Sequence, residues 1–566
     1  MNSNQAPEQT VEPREYAGEQ IEVHFRSATP RSASFPPGKY PDPEPATTVE
    51  NGIICERDVP VRMRDGVTVY TDIYRPVGAT NLPAIVAWSV FGKRSGYQGQ
   101  HVPGVPEGVL SAGAKFEGPD PAYWCHYGYA VINPDSRGSG NSEGDIIFWG
   151  TADGRDGYDL IEWAAAQEWC NGRLGMAGNS WLAIAQGFIA AERPPHLAAI
   201  APWEGQDDWY RDGLFPGGIP EPGFGGSICN TVCGNNRIED VRAMMKRYPV
   251  QNAFWQDRRA RVEDIDIPCY IASSYNPVHV HGTFDAYRRI PAKAKWLRVH
   301  NTLEWPDQYS PENLEDLRRF FDRYLKGIHN GWEFTPKVRV SVLDPGGKDV
   351  VNRPEADWPL PRTRYEKLYL DARSMALSPG PPAESSAVRY RADDKRGSAV
   401  FTYRFAEDAE LIGYPKLRLW VEADGADDMD LFAYLSKLDE NGNELLATVV
   451  DFPNPGARGT IRVSHREADE SDPAAFYDPF LTHRREQMLS PGEIVPVEFG
   501  IWPLGMKWHA GQQLRLTIQG FALPWMEDVT VANGPLFVWD TRNQGTHVLH
   551  AGGRHDSYLQ IPNIPL

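Results

Sequence analysis

The segment Met176-Ala177-Gly178-Asn179-Ser180-Trp181 places a hydroxyl two positions after the smallest side chain. A serine at the tip of a tight strand-to-helix turn projects its hydroxyl away from the backbone. Such a turn tolerates only a small residue two positions earlier, where Gly178 stands. The apolar run 174–177 predicts the entering strand, and 181–191 predicts the departing helix. The N–H of Trp181, at the helix start, then faces the oxyanion that forms when Ser180 attacks a carbonyl, with Asn179 flanking the same pocket. The chemistry implied is acyl transfer. The glycine usual two positions after such a serine is Leu182 here, so an ordinary strand-to-helix turn fits the same pattern.

A serine nucleophile needs a base, and the base needs orientation. His279 and His300 each follow an apolar strand pattern, at the strand ends where catalytic groups gather in open α/β sheets. His281 adds a third imidazole, more readily read as a structural hydrogen-bonder. Glu304 lies four residues beyond His300. Trp203-Glu204-Gly205-Gln206-Asp207-Asp208 follows the strand after the nucleophile helix. Trp203 and the acids Glu204, Asp207 and Asp208 are candidate substrate contacts, the acids for a substrate amine, with solvated or capping roles as the alternative.

Positioning such groups requires strands that end along one edge. Val59, Val61 and Met63 alternate with polar or proline positions before Asp65-Gly66, which predicts a β-hairpin. Strands at 83–88, 129–133, 174–177, 197–202, 268–272 and 295–299 then interleave with helices at 156–169 and 181–191. Ser310-Pro311-Glu312 opens a further helix with Leu314, Leu317, Phe321 and Leu325 on one side. The alternation predicts an α/β fold over 49–335, a mainly parallel sheet with helices on both faces. Roughly 65 residues separate the strands at 197–202 and 268–272, too many for a simple crossover. They include helix-like 238–248, so a cap inserted at about 204–264 is expected. Residues 1–48, polar and proline-rich, read as an extended arm with little structure of its own. From 336 the helical pattern fades, and 337–343, 417–422, 430–435 and 513–519 read as strands. They predict an all-β jelly-roll sandwich over 336–566.

Composition narrows the partners. The net charge of −19 argues against nucleic acid and anionic membrane. No run of about 18 apolar residues occurs, and the polar N-terminus lacks the apolar core of a secretory leader. A cytoplasmic enzyme with a small-molecule substrate is expected, with homo-oligomerisation compatible. Of six cysteines only Cys229 and Cys233 are close, with no second pair to complete a zinc site. No metal or cofactor is expected.

From about Ile53 to its end the chain resembles the family of cocaine esterases, X-Pro dipeptidyl peptidases and α-amino-acid ester hydrolases. The likeness is carried by Gly178-Asn179-Ser180-Trp181-Leu182, by Asp135-Ser136-Arg137-Gly138-Ser139-Gly140-Asn141-Ser142-Glu143-Gly144, by Tyr324-Leu325-Lys326-Gly327 and by the C-terminal segment 552–565. The resemblance implies an α/β-hydrolase core, a helical cap and a C-terminal jelly roll. It also implies three departures. Phe91, in Ser89-Val90-Phe91-Gly92-Lys93, stands where the family has a tyrosine whose hydroxyl donates to the oxyanion. Asn276 stands at the family's acid, and simple counting puts Glu304 at its histidine. His300 with Glu304 is the favoured base and carboxylate, and His279 with Glu304 the alternative. The leading expectation is hydrolysis or acyl transfer on an ester, lactone or amide through Ser180. The alternatives are lyase, isomerase or cyclase chemistry by His and Glu on the same fold, and an inactive small-molecule-binding protein.

Overall fold

The computed structural model describes residues 9–28, 41–94, 102–224, 232, 234–275, 278–447, 456–523, 530–531, 534–535 and 537–565. An N-terminal hairpin, β1 (Gln9–Tyr16) and β2 (Glu19–Ser27), precedes the core. The core strands are β3 (Ala46–Glu50), β4 (Ile53–Arg62), β5 (Thr68–Pro76), β6 (Leu82–Val86), β7 (Ala130–Pro134), β8 (Cys170–Asn179) and β9 (Leu197–Trp203). After β10 (Arg237–Glu239), which pairs with β2, come β11 (Cys269–Ser273), β12 (Lys295–Val299), β13 (Val338–Val342) and β14 (Val350–Glu355). The eleven core strands lie in the order β14-β13-β12-β11-β9-β8-β6-β7-β5-β4-β3. From β7 through β13 the neighbours are parallel, and antiparallel strands close both edges.

The expected α/β layering is present. The helices are α1 (Pro121–His126), α2 (Thr151–Ala165), α3 (Trp181–Ala191), α4 (Val241–Arg247), α5 (Ala253–Asp257), α6 (Val280–Arg289), α7 (Glu304–Gln308) and α8 (Pro311–Leu325). On one face α1 and α8 bury Trp124, Phe320, Phe321 and Leu325 against Ala199, Ala201 and Tyr270. Leu160, Ile161, Trp181 and Ile189 of α2 and α3 belong to the larger core of the other face. Helix α2 begins a turn earlier than its apolar pattern suggests. A Cβ at Gly157 would meet Ile189 Cδ1 at 2.3 Å, so the glycines that blur the helix signal are what let α2 lie against α3.

Two expectations are corrected. The 1–48 arm is not structureless: Ile21, Val23 and Phe25 alternate and are buried, and β2 pairs with β10 of the inserted segment. Burying one face of a hairpin against the segment that carries β10 supplies order that a polar average conceals. The strand expected to open the β-domain at 337–343 instead extends the core sheet as β13, parallel to β12, and β14 pairs with it. Period-two patterning marks a strand but not the sheet it joins.

Beyond β14, among the described residues, fourteen strands form one hydrogen-bonded network. This β-rich region docks on the core through Leu343 N–H to Gly505 O (2.8 Å), Thr460 Oγ1 to Pro216 O (3.0 Å), and His281, which touches Asp478 (3.4 Å). Among the described residues no helix is long and apolar enough to cross a membrane. Cys229 and Cys233 lie outside the described residues.

The glycine-rich loop after β7 is an ion-pair frame. The buried Lys93 ammonium is 2.6 Å from Asp135 Oδ2, 2.6 Å from Asn141 Oδ1 and 3.0 Å from Asp58 Oδ1. Arg137 grips Asp156 with two contacts of 2.6 Å.

Candidate active site

Ser180 sits between the end of β8 and the start of α3 with φ 52° and ψ −115°, a conformation strained for any residue but glycine. Its N–H donates to the carbonyls of Trp203 and Glu204, both at 3.1 Å, so the end of β9 holds the turn. Gly178 has φ +141°, and a Cβ there would lie 2.5 Å from Leu182 Cδ2 and 2.9 Å from the Glu117 carbonyl. Leu182 itself therefore enforces glycine two positions before the serine. Trp181 opens the helix, where its N–H has no intrahelical acceptor.

Phe91 lies beside this turn, edge-to-face with Trp181 (ring centroids 5.7 Å) and with Phe116 (5.5 Å). Trp149 packs on Trp181 at 4.2 Å. A phenyl ring presents no hydroxyl to an oxyanion, so the position offers apolar contact where the resembling family offers a donor.

The imidazoles arrive from two neighbouring strand ends. His300 follows β12, and its N–H donates to Ser273 O at the end of β11 (2.8 Å). Its Nε2 is 2.8 Å from Glu204 Oε1 and its Nδ1 is 3.7 Å from Asp307 Oδ1. The Glu204 contact is close in distance, but its angle falls short of a hydrogen bond. Asp307 is itself gripped by Arg298 at 2.8 and 2.6 Å. The carboxylate facing His300 is thus Glu204, with the residue's φ at 53°, and not Glu304 as the sequence suggested. His279, the residue before α6, is fully enclosed, and burial pushes its imidazole down to about 4 against the opposing pull of Glu204. Asn276 lies outside the described residues. Among the described residues, no hydrogen bond joins the Ser180 hydroxyl to His279, His300 or Glu304.

Glu304 opens α7 and turns toward Asn179. Burial raises its carboxyl well above the usual range, and the negative charges of Glu204 and Glu117 raise it further, while the Asn179 amide opposes them. Glu117, which sequence reasoning missed, is pushed up to about 8 by burial, with the Trp305 indole N–H opposing at 2.9 Å from its Oε1. Its carbonyl accepts from Asn179 N–H (3.1 Å) and from Gln308 Nε2 (2.8 Å), so α7 clamps the Glu117 loop under the nucleophile turn. The only visible signal for Glu117 was a lone acid between Phe116 and Gly118. Its left-handed backbone, φ 61°, has no mark in the sequence.

Several buried polar atoms of these residues make no hydrogen bond: Glu117 Oε2, Asn179 Nδ2, Glu204 Oε2, His279 Nδ1, His300 Nδ1 and Glu304 Oε2. Buried polar groups are normally satisfied, so such a convergence is what a polar substrate would complete.

Three tentative substrate contacts belong elsewhere. Trp203 is packed on the α1/α8 face, with its Nε1 donating to Tyr270 O (3.1 Å) and Arg298 4.9 Å over its ring. Asp207 is paired with Arg289. Asp208 caps the turn at Arg211, accepting its N–H at 3.1 Å and pairing with its guanidinium at 2.6 Å. Each is a structural partner because a buried or half-buried cation or carbonyl already claims it.

The profile of the X-Pro dipeptidyl-peptidase (S15) family matches residues 65–232, and that of the X-Pro dipeptidyl-peptidase C-terminal non-catalytic domain matches 330–560. A solved CocE/NonD family hydrolase from Staphylococcus aureus is 33% identical, covers 91% of this chain and 94% of its own, and superposes with a TM-score of 0.85. The cocaine esterase of Rhodococcus sp. is 25% identical over 611 residues, spanning 91% of this chain and 100% of that protein. An α-amino acid ester hydrolase shares the fold, with a TM-score of 0.67 at 18% identity over 92% of this chain and 98% of its own.

Proposed function

The chain belongs to the CocE/NonD hydrolase family and is a hydrolase of the cocaine esterase and X-Pro dipeptidyl-peptidase type, and on that premise we propose that it cleaves an ester, lactone or amide by acyl transfer through Ser180. The observation that carries this reading is the strained turn itself: a serine at φ 52° between β8 and α3, with the Trp181 N–H beside it. His300 is the base of the proposal: Asp307, 3.7 Å from its Nδ1, is the carboxylate behind the ring, and Nε2, which Glu204 meets at 2.8 Å, is the nitrogen that takes the proton once the serine hydroxyl displaces that carboxylate. It takes the Ser180 proton as the hydroxyl attacks the carbonyl and returns it to the leaving group. Trp181 N–H receives the oxyanion. Glu304, whose carboxyl burial biases toward the neutral form, serves as the second donor in place of the hydroxyl that Phe91 lacks. The β-rich region beyond β14 is read as a jelly-roll sandwich docked on the core.

A fluorophosphonate probe tests this. Covalent labelling that maps to Ser180 and disappears in Ser180→Ala is expected. A folded wild-type protein that stays unlabelled would overturn the nucleophile. One observation favours a second reading: two buried carboxyls biased toward their neutral forms, Glu304 and Glu117, suit proton donation in a lyase or isomerase step without acylation.

A further inference from the structure

A separate cavity of about 320 Å³ lies on the seam between the hydrolase core and the β-rich region, and none of the residues around Ser180 lines it. Five guanidinium groups do: Arg211, Arg259, Arg261 and Arg289 from the core side, and Arg484 from the other. Among the described lining residues Glu263 is the only carboxylate. In a chain of net charge −19, the lining itself is mostly cationic, with carboxylates set behind it.

Three of the arginines are committed to building the walls. Arg211 pairs with Asp208 (2.6 Å) and donates to the carbonyls of Leu481 (3.0 Å) and Thr482 (3.2 Å). Arg261 pairs with Glu192 (2.9 Å), and Arg289 with Asp207, Asp285 and Glu263. The other two differ. Arg259 Nε is 3.5 Å from Asp208 Oδ2 and its Nη2 is 4.0 Å from Glu263 Oε1, two loose ion pairs, and its Nε makes no hydrogen bond. Its guanidinium stands 5.1 Å over the Phe480 ring, which holds its fork in place. Arg484 is exposed and, among the described residues, forms no ion pair. Beside them the buried Gln251 Nε2 donates to nothing.

We propose that this cavity binds a small phosphate-bearing molecule, held by Arg259 and Gln251 from one wall and Arg484 from the other. Donors loosely held or without a hydrogen bond, approaching from two walls, match a tetrahedral oxyanion, whose oxygens point in several directions, better than a planar carboxylate. The volume falls at the lower end of small-ligand sites, roughly 300–1,000 Å³, and exceeds what a bare ion fills. An organic phosphate monoester is therefore the class. Because the walls belong to the core and to the β-rich region, the ligand ties the two together and raises the temperature at which they separate.

The test is calorimetric titration of the full chain with inorganic phosphate and with phenyl phosphate, at ionic strength matched with sodium chloride, and with citrate as the carboxylate comparator. Saturable binding of the phosphates is expected, tighter for phenyl phosphate, together with a higher unfolding temperature. Arg484→Gln, at an exposed position, and Arg259→Gln are each expected to weaken binding about tenfold, the loss of one charge-assisted hydrogen bond. No saturable binding, unchanged affinity in Arg484→Gln, or a preference for citrate would overturn the proposal.

Discussion

Glu304 and Glu204 are both buried near the same serine, but they face different partners, and that difference assigns them different work. Glu204 meets an imidazole, while Glu304 meets an amide and the negative charge of its neighbours. Glutamine mimics a neutral carboxylic acid better than a carboxylate. Glu304→Gln is therefore expected to keep activity on a simple activated ester within about tenfold, whereas His300→Ala loses about 10²–10⁴-fold, the usual contribution of a general base. Glu204→Gln falls between them. Equal losses in Glu304→Gln and His300→Ala, measured on folded protein, would move the chemistry to the non-acylating reading. Glu117 carries a consequence for stability. Its folded carboxyl, raised to about 8, keeps its proton from pH 4.5 upward while the unfolded chain gives its proton up. The native state then binds more protons, and this group's contribution falls as pH rises from 4.5 to about 8. Urea unfolding of Glu117→Gln at the two ends of that window should show a flatter pH dependence than wild type, by up to a few kcal/mol. An unchanged slope would mean that Glu117 ionises freely in the folded protein.

At the scale of elements, the turn from β8 into α3 is where local sequence and required geometry coincide. Helix α3 runs over Trp181–Ala191, the span its apolar pattern predicts, because nothing outside the segment has to define its start. Gly178 is the tightest point. Alanine there would need a left-handed backbone and would drive its Cβ into Leu182 and the Glu117 carbonyl. Gly178→Ala is expected to destabilise the protein by about 2–4 kcal/mol through strain and overpacking, and to lower kcat more than it raises KM as Ser180 shifts. Chemical unfolding with parallel kinetics checks both; a stable, fully active variant would show that the turn can relax. Helix α2 and the hairpin β1–β2 were less legible. Both depend on a neighbour, α3 in one case and β10 in the other, to make their contacts favourable.

At the scale of the molecule, His281 joins the two regions. Its Nδ1 lies 2.7 Å from Asp212 Oδ1 in the core and its Nε2 3.4 Å from Asp478 Oδ1 in the β-rich region. The two aspartates hold the imidazole well above its ordinary value of 6.5, although burial opposes them. A raised folded value means the stabilisation is fully present below pH 6.5 and fades as pH climbs through the folded value. Scanning calorimetry should therefore show the β-rich region separating more readily at about pH 9 than at about pH 6. His281→Ala should reduce that difference, leaving the part that Glu117 contributes, and lower the transition at the more acidic pH. A variant whose transition still shifts with pH as in wild type would place the switch elsewhere.

The sequence by itself determined what is local. Gly178, Ser180 and the apolar run after it specify the nucleophile turn, because strand, turn and helix are each encoded within a few residues. The alternation of strands and helices likewise determined the parallel sheet and so the edge at which the site lies. Tertiary structure decided who partners whom. Glu204, Asp307 and Glu117 meet His300 and the nucleophile turn only because the ends of β9 and β12 and the loop before α1 are carried to one edge of the sheet. Glu304, close in sequence to His300, is rotated by α7 toward Asn179 instead. Spacing along the chain does not fix direction across a loop. A carboxylate four residues away therefore lost the imidazole to one that arrives on a different strand.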